Sequence, residues 1–398
     1  MTEYRIITPE YKEEMFELAK YAFNIPITEN LKNQFNLIFD NSISVGAFQE
    51  TGTLSGQVMI TAYEVYLHKQ VYKMGGIGLV ANYPEYRGDG DIASLMKLAL
   101  KTMNEKEDDL SYLAPFLYSF YRKYGYEHAF DQVKLTLTPD ELPKAHKQKG
   151  TMKRVDWKTG SHELKKLYQM YQKDSIGPVR RADWWWSYNY DYNQELKIAI
   201  YYNPENQPYG YLTYETDGQN KTFRIKELVY LDYHAYDALW GFIASHNGSF
   251  SYFEYSAGIN QNQSYLLSNP RIKQEIIPSM MARIVNMKRF IEKFNFISEI
   301  DSPLYLKVKD EVAPWNDGLW KLEIKSGQTS LTEVANEPEE GLENQLLTGD
   351  IGAWTQVFMN YRSLNELHFF NRIEGSEAAV QTLAAQLPDG SPTLYDYF

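Results

Sequence analysis

The chain has 398 residues, more than one ordinary hydrophobic core organises, so two or three domains are expected. Hydrophobic residues make up 43% and charged residues 23%, the balance of a globular protein, and the formal net charge of −12 argues against nucleic acid or anionic membrane as a main partner, because no strongly basic stripe is left to neutralise phosphates. Cysteine is absent, which removes disulfides, thiolate nucleophiles and Cys-ligated zinc together. The seven histidines show neither HExxH nor H-x₃₋₅-H spacing, so no catalytic metal is expected. The N-terminus lacks an apolar leader and no stretch reaches the ~18 apolar residues of a membrane span, so the expectation is a cytoplasmic protein.

Thr8-Pro9 reads as a helix start, Thr as cap and Pro in the first turn, with Met15, Leu18, Ala19 and Ala22 on one face and Phe23-Asn24-Ile25-Pro26 as the stop. A second helix is expected over Leu31 to Phe39. Short strands follow at Ser44–Phe48, Ser55–Tyr63 and Gln70–Tyr72. Next comes the stretch that carries chemistry. The apolar run Ile77-Gly78-Leu79-Val80-Ala81 stops at Asn82-Tyr83-Pro84, the loop Arg87-Gly88-Asp89-Gly90-Asp91 follows, and Ile92, Leu95, Met96, Ala99 and Met103 repeat at helical spacing. A strand, a glycine-rich loop and a helix in that order present backbone N–H groups at a helix N-terminus, a place for phosphate or pyrophosphate. Arg87 is the one local cation, and Asp89 and Asp91 are expected to face solvent or cap the helix. Neither GxxxxGK[ST] nor GxGxxG is present.

Ser111–Ala114 is a further strand, and Phe120-Tyr121-Arg122-Lys123-Tyr124-Gly125-Tyr126 follows it. Lys144 to Gly150 is polar, basic and aperiodic, an exposed linker or hairpin. The middle of the chain repeats the plan: a helix through Leu164, Leu167, Tyr168 and Tyr171, strands at Ile198–Tyr201, Tyr209–Glu215 and Phe223–Leu231, and a helix through Leu239, Phe242 and Ile243. Where the glycine loop would recur, this copy has Asp232 to Asp237 with no glycine or arginine, so the same fold without a cofactor is expected. Trp184-Trp185-Trp186 favours packing between domains over ligand stacking. Beyond Pro278, Ala282–Met287 turns from strand to helix, Leu304–Val308 and Leu319–Ile324 form a hairpin around Trp315-Asn316-Asp317-Gly318, Glu333–Glu343 reads as an acidic loop, and two late helices are expected near Ile351–Asn360 and Glu377–Gln386.

Arg87-x-x-Gly90-x-Ile92 resembles the acetyl-CoA loop of the GNAT acetyltransferases, Q/R-x-x-G-x-G/A, with Ile92 bulkier than the usual last residue. Phe120 to Tyr126 resembles the family's F-Y-x-K-x-G-F segment, at the family's separation. With Gly177-Pro178-Val179-Arg180-Arg181, Met281–Asn286, Ala313–Gly318 and the terminal Phe398, the chain resembles the Eis family over nearly its whole length. The family's loop has two or three adjacent arginines, whereas Gly88 and Asp89 follow Arg87 here, which bears on phosphate affinity more than on fold.

The resemblance implies an α+β chain of two tandem GNAT-like domains, the second degenerate, followed by a sterol-carrier-protein-like domain: 1–145, 146–280 and 281–398. It implies an acetyl-CoA-dependent N-acetyltransferase without a metal, with Val80, Ala81, Asn82, Arg87, Gly88, Asp89, Gly90, Asp91, Ile92 and Ala93 around acetyl-CoA, Tyr121 as general acid and the Phe398 carboxylate as general base. Acceptors would be primary amines of a cationic small molecule, aminoglycoside-like or polyamine-like, and the assembly a homohexamer. The alternatives are a ligand carrier or interaction protein that uses the C-terminal domain, and a protein lysine acetyltransferase.

Overall fold

The structure is a computed structural model that describes residues 2–24, 28–144, 146, 149–261, 263–325, 327–335 and 342–398. The expected stop at Ile25-Pro26, much of the expected linker at 144–150 and most of the acidic loop at 333–343 lie outside the described residues. The chain forms two compact units, one of Met1–Ala129, Ser279–Pro392 and Tyr397–Phe398, the other of Phe130–Pro278 and Thr393–Asp396.

The first unit begins with β1 (Glu3–Ile6), α1 (Lys12–Phe23), α2 (Glu29–Asp40), β2 (Ser42–Phe48), β3 (Leu54–Leu67), β4 (Gln70–Asn82), α3 (Asp91–Glu105), β5 (Leu110–Leu113), α4 (Tyr118–Arg122) and β6 (Glu127–His128). Thr8 makes no side-chain cap; Pro9–Tyr11 is a 3-10 turn, and α1 starts only after it. Asn24 ends α1 in the left-handed region that Asn tolerates, at φ 50°. The strands expected at Gln70–Tyr72 and Ile77–Ala81 are one strand, β4.

The chain then enters the second unit with β7 (Asp131–Leu137), β8 (Thr151–Val155), α5 (Trp157–Gln172), α6 (Asp183–Tyr190), β9 (Lys197–Tyr202), β10 (Pro208–Asp217), β11 (Thr222–Tyr230), α7 (Tyr233–Ala244), β12 (Tyr252–Gly258) and β13 (Lys273–Pro278). It returns to the first unit with β14 (Met281–Ile284), α8 (Met287–Glu292), β15 (Leu304–Lys309), β16 (Gly318–Lys325), β17 (Gln328–Glu333), β18 (Leu346–Asp350), α9 (Ile351–Phe358), α10 (Leu364–Phe369), β19 (Ile373–Gly375) and α11 (Glu377–Ala384).

The sheets show an exchange of strands. The first is ordered β1-β2-β3-β4-β5-β14-β6, so a strand encoded after residue 280 separates β5 from β6. The second is ordered β13-β7-β12-β11-β10-β9-β8, so β7, encoded just after β6, belongs to it. Met281 faces Leu113 and Ile284 faces Leu110 in antiparallel register, and all four residues of β14 are buried. A third sheet, β17-β16-β15-β18-β19, completes the first unit.

Two layers cover the first sheet. Leu95, Met96, Ala99, Leu100 and Met103 of α3 are fully buried against Val45, Val58, Ile60 and Ile77, while Met15, Phe16 and Phe35 of α1 and α2 pack with Phe48, Leu54 and Met59. At about 1.5–3 kcal/mol for each fully buried large apolar side chain, these layers hold the sheet around an irregular place between two of its central strands. The recurring segments Met281–Asn286 and Ala313–Gly318 are interlocked inside the same unit. Arg283, wholly buried, donates to Asp310 and to the Tyr124 carbonyl, and Asn316 donates to the Val285 carbonyl at 3.0 Å and accepts from Met287 N–H at 2.8 Å. Trp185 and Trp186, expected between domains, are buried within the second unit, where Trp185 stacks on Tyr188 at 4.7 Å and Trp186 meets Tyr168 edge-on. Among the described residues no helix is long and apolar enough to cross a membrane.

Candidate active site

The irregular place is where β4 and β5 part. They pair in parallel from Met74/Leu110 to Ile77/Leu113, and there β5 ends. From Gly78 to Asn82, β4 keeps β3 on one side and, among the described residues, has no strand partner on the other. The β3 register also slips between Gln57 and Met59, opposite Leu79, whose φ of 46° is strained for a branched residue. A bulge at Leu79 turns the backbone beside Val80 and Ala81 and leaves polar groups on an open edge, which an extended ligand with amides of its own can pair as a strand would.

The edge leads directly into the loop. Asn82 donates to the Tyr86 carbonyl at 2.9 Å, which folds Pro84–Tyr86 into a 3-10 turn. Arg87, Gly88, Asp89 and Gly90 are exposed. Gly88 and Gly90 have φ of 106° and 84°, in the left-handed region, and Gly90 precedes α3 with no side-chain cap on the helix. The N–H groups at the start of α3, around Asp91, Ile92 and Ala93, are therefore left for solvent or an anion. Asp91 departs from expectation. It neither faces solvent nor caps the helix, but is buried and accepts from the Tyr4 hydroxyl at 2.8 Å, so its charge is turned into the fold and away from the loop. Asp89 is exposed, as expected.

Tyr121 lies on α4, 3% exposed, in the core cluster that also holds Ile77 and, at its margin, Val80 and Ile92. Burial, with smaller contributions from Tyr126 and Tyr124, pushes its phenol well above the ordinary tyrosine range, so the hydroxyl keeps its proton. Phe398 docks on β4. Its ring lies 4.7 Å from that of Tyr63, and a Cβ at Gly76 would stand 2.9 Å from the Phe398 ring. A Cβ at Gly78 would stand 4.0 Å from the carboxyl carbon of Phe398. The carboxyl thus lies at the strand position where the sheet opens. Composition and motifs gave no hint of Tyr63, Gly76 or Gly78 as the seat of that residue; the aromatic run ending the sequence was the one available sign.

Two other candidate bases are committed elsewhere. Arg122 holds Glu127 through bonds of 2.8 to 3.0 Å, and Arg372 adds a contact at 3.5 Å, in a cleft of about 630 Å³. Burial acts to raise the Glu127 carboxyl, but the Arg122 and His128 N–H bonds and the two arginine charges together hold it below the usual carboxylate range. His128 Nδ1 lies 3.0 Å from the Tyr361 hydroxyl.

Known proteins share both the sequence segments and the whole fold. The acetyltransferase (GNAT) domain matches residues 3–129 and a second acetyltransferase (GNAT) domain residues 177–284; the sterol carrier protein domain matches 287–395. A probable N-acyltransferase from Enterococcus faecalis V583 is 37% identical over all of both chains, with a TM-score of 0.94. The chain belongs to the GNAT acetyltransferase family. It has the Eis-like arrangement of tandem GNAT domains and a sterol carrier protein domain. Eis1 from Mycobacterium abscessus shares the fold over all of both chains, at 17% identity and a TM-score of 0.81, as does a GCN5-related N-acetyltransferase from Anabaena variabilis ATCC 29413, at 21% and 0.88. No curated protein sequence matches the chain.

The second GNAT copy repeats the opening but caps the helix that follows it. β11 and β12 pair in parallel from Thr222/Tyr252 to Ile225/Tyr255 and then part. The helix after β11 begins under Asp232, whose carboxylate accepts from Ala235 N–H at 2.8 Å, so a side chain occupies the place that Gly90 leaves open in the first copy. Leu394 and Tyr395 line the cavity of about 260 Å³ between these strands.

Proposed function

We propose that this GNAT protein is an acetyl-CoA-dependent N-acetyltransferase that acylates a primary amine of a cationic small molecule, with one co-substrate site per chain, in the segment 1–145. The supporting observation is a coincidence on one strand: the open edge of Gly78–Asn82 runs into an uncapped helix N-terminus, and the Phe398 carboxyl lies beside Gly78. Bound acetyl-CoA would supply a thioester whose acyl carbon is transferred. Val80, Ala81 and Asn82 suit its amide-bearing arm, and Arg87 with the backbone of Gly88–Ala93 suits its pyrophosphate. The exposed Asp89 carboxylate weakens that attraction, whereas Asp91 directs its carboxylate to the Tyr4 hydroxyl.

An alkylammonium with a pKa near ~10.4 attacks nothing until it loses a proton. We assign that proton to the carboxylate of Phe398. An α-carboxyl titrates near ~3.5 in water, a poor match to an ammonium, so in this proposal the carboxylate acts through desolvation, a bridging water or mainly by positioning the amine, with the Phe398 ring held against that of Tyr63. The departing sulfur, akin to a thiol at ~8.5, takes its proton from Tyr121. Because burial makes this phenol a weaker acid than tyrosine in water, its part is to donate a hydrogen bond as negative charge gathers on sulfur and to pass the proton as the bond to carbon breaks.

In this reading the segment 146–280 has kept the fold and lost the co-substrate, and 281–398 brings the chain end to β4. The assembly is a homo-oligomer, a hexamer on the Eis pattern, supplied with acetyl-CoA in the cytoplasm. The net charge of −12 suits a cationic acceptor. Calorimetric titration with acetyl-CoA, followed by mass spectrometry of polyamine and aminoglycoside acceptors, tests the proposal. One site per chain and an N-acetylated product are expected; no binding, or binding that survives Arg87→Glu with Gly90→Trp, refutes it.

A further inference from the structure

The residues just before Phe398 are held by a buried ionic network within the second unit. Thr393 N–H donates to the Ile176 carbonyl at 2.8 Å, and the Tyr395 hydroxyl donates to Gln261. Asp396, 7% exposed, accepts from Arg181 Nε at 2.8 Å and from Trp185 Nε1 at 2.7 Å. The same guanidinium donates to Glu227 at 2.8 and 3.2 Å and lies over the rings of Tyr168, at 4.1 Å, and Trp186, at 4.7 Å. Glu227 accepts in turn from the Tyr211 hydroxyl at 2.6 Å. One arginine is thus shared by two buried carboxylates, one from β11 and one from the tail.

Such a network is a costly way to hold a chain end. Taking three charges out of water is repaid only by close geometry, and apolar packing of the same volume is often as stable. What the ions add is direction: a guanidinium that donates through Nε to one carboxylate and through its terminal nitrogens to another fixes both in its plane, and the indole N–H fixes the tail carboxylate from a second side. From Asp396 to Phe398 the chain spans at most about 7 Å, so fixing Asp396 narrows where the terminal carboxyl can stand.

We propose that Arg181, Trp185 and Asp396 form a clamp that, through the two residues of chain that follow, positions the Phe398 carboxylate for acetyl transfer; the proposal rests on the reading of Phe398 as the base. These are positioning residues, since none touches the reacting atoms. The clamp assigns a role to Arg181 in the Gly177–Arg181 segment and to the tryptophan run, which the acetyl-CoA site itself does not use.

The test compares four full-length proteins: Asp396→Asn, which keeps shape and loses charge; Trp185→Phe, which removes one donor; a Gly-Ser extension after Phe398; and the extension combined with Asp396→Asn. Readouts are kcat with a responsive amine, acetyl-CoA Kd, and release of Phe398 by carboxypeptidase from the unextended proteins. Asp396→Asn is expected to lower kcat by about 10- to 100-fold, the scale of a misplaced catalytic group, with Kd unchanged and Phe398 released faster. Trp185→Phe follows in the same direction and to a smaller extent, which keeps the test valid if circular dichroism shows Asp396→Asn misfolded. In the extended protein, Asp396→Asn is expected to add no further loss, because both changes act through one carboxylate. An impaired extended protein beside full activity in Asp396→Asn and Trp185→Phe overturns the clamp alone, as does an equal Asp396→Asn loss with and without the extension, which marks a general structural role. A fully active extended protein overturns the reading of Phe398 as the base, and the clamp with it.

Discussion

Gly76→Ala probes the seat of Phe398 without touching its carboxylate or the loop at Arg87. A methyl group at this position would stand 2.6 Å from Cε2 of Tyr63 and 2.9 Å from Cε2 of Phe398. Both distances are far inside contact, and overpacking of this kind costs about 1–3 kcal/mol if the core must absorb it. The strand has little freedom to do so, since Gly76 pairs with Thr61 on β3 and Tyr112 on β5. The Phe398 ring is the softer partner. Its stacking on Tyr63 is worth roughly 0.5–1.5 kcal/mol, so releasing the tail costs no more than distorting the sheet. A net shift of about 1.4 kcal/mol lowers the docking equilibrium constant tenfold, and a fully displaced base costs the 10²–10⁴-fold of lost acid–base catalysis. Expected, therefore, is a Tm close to that of the parent, an unchanged acetyl-CoA Kd, and kcat lowered about twofold or more with a responsive amine. At Gly78 the nearest atom to a built methyl is the Phe398 carboxyl carbon at 4.0 Å, so Gly78→Ala should leave the tail as resistant to carboxypeptidase as in the parent. Full turnover in Gly76→Ala, or a tail loosened more by Gly78→Ala than by Gly76→Ala, would refute the reasoning.

Tyr121→Phe should retain acetyl-CoA affinity and lose about 10²–10⁴-fold in kcat, and unchanged turnover would make Tyr121 a packing residue only. Asp89→Asn removes an exposed negative charge beside the uncapped start of α3; a pair of charges in water is worth about 1 kcal/mol at 4 Å and half that at twice the distance, so acetyl-CoA should bind a few-fold tighter at low salt, with the gain shrinking near 0.15 M. Asp108 has its carboxyl pushed up to about 7, by burial first and by Asp109 second, against Lys73 and Arg289. Since the folded value lies above the unfolded one, its contribution is fully present below about pH 4 and is lost as pH rises through about 7; Asp108→Asn should raise Tm by an amount that grows over that window and then levels, and a pH-independent gain contradicts the assignment. Arg283→Met strands Asp310 in the core and should cost about 3–5 kcal/mol in denaturant unfolding, more than an exposed arginine change.

The parts of the site legible in the sequence are those with a local signature. The α3 face repeats at helical spacing and the loop carries its glycines, so both are marked by residues within a few positions of one another. β4 was read in two pieces because Lys73 and the run Met74-Gly75-Gly76 interrupt its alternation, although the ladder with β3 continues through them. The bulge at Leu79 has no residue code, since only the register against Gln57 and Met59 reveals it. Asp91 was misread because the Tyr4 hydroxyl that claims it comes from β1, 87 positions earlier. The exchange of β7 and β14 was not legible for the same reason: the partners of Met281–Ile284 are Leu110–Leu113, and nothing within a few residues of either strand selects the other. β7 itself carries a local signal, with Val133, Leu135 and Leu137 alternating inward, though nothing in that alternation says which sheet it joins.

The two GNAT copies differ at one kind of place, the start of the helix that follows the parted strand. In the first, Gly90 with its positive φ leaves the N–H groups and the positive end of the helix dipole uncovered. In the second, the Asp232 carboxylate satisfies Ala235 N–H, and a cap of this type stabilises its own helix by about 0.5–2 kcal/mol. The same carboxylate would repel a pyrophosphate from that end. One side chain thus favours the stability of its own helix over an anion at that end, and the opening of this copy is filled in another way. What it holds is its own chain: Leu394 and Tyr395 line the cavity where β11 and β12 part, and Asp396 is bound by Arg181. The uncapped helix start and the left-handed Leu79, Gly88 and Gly90 are in the first copy, while the second has a cap at Asp232, an ion network around Arg181 and its own chain lining the opening.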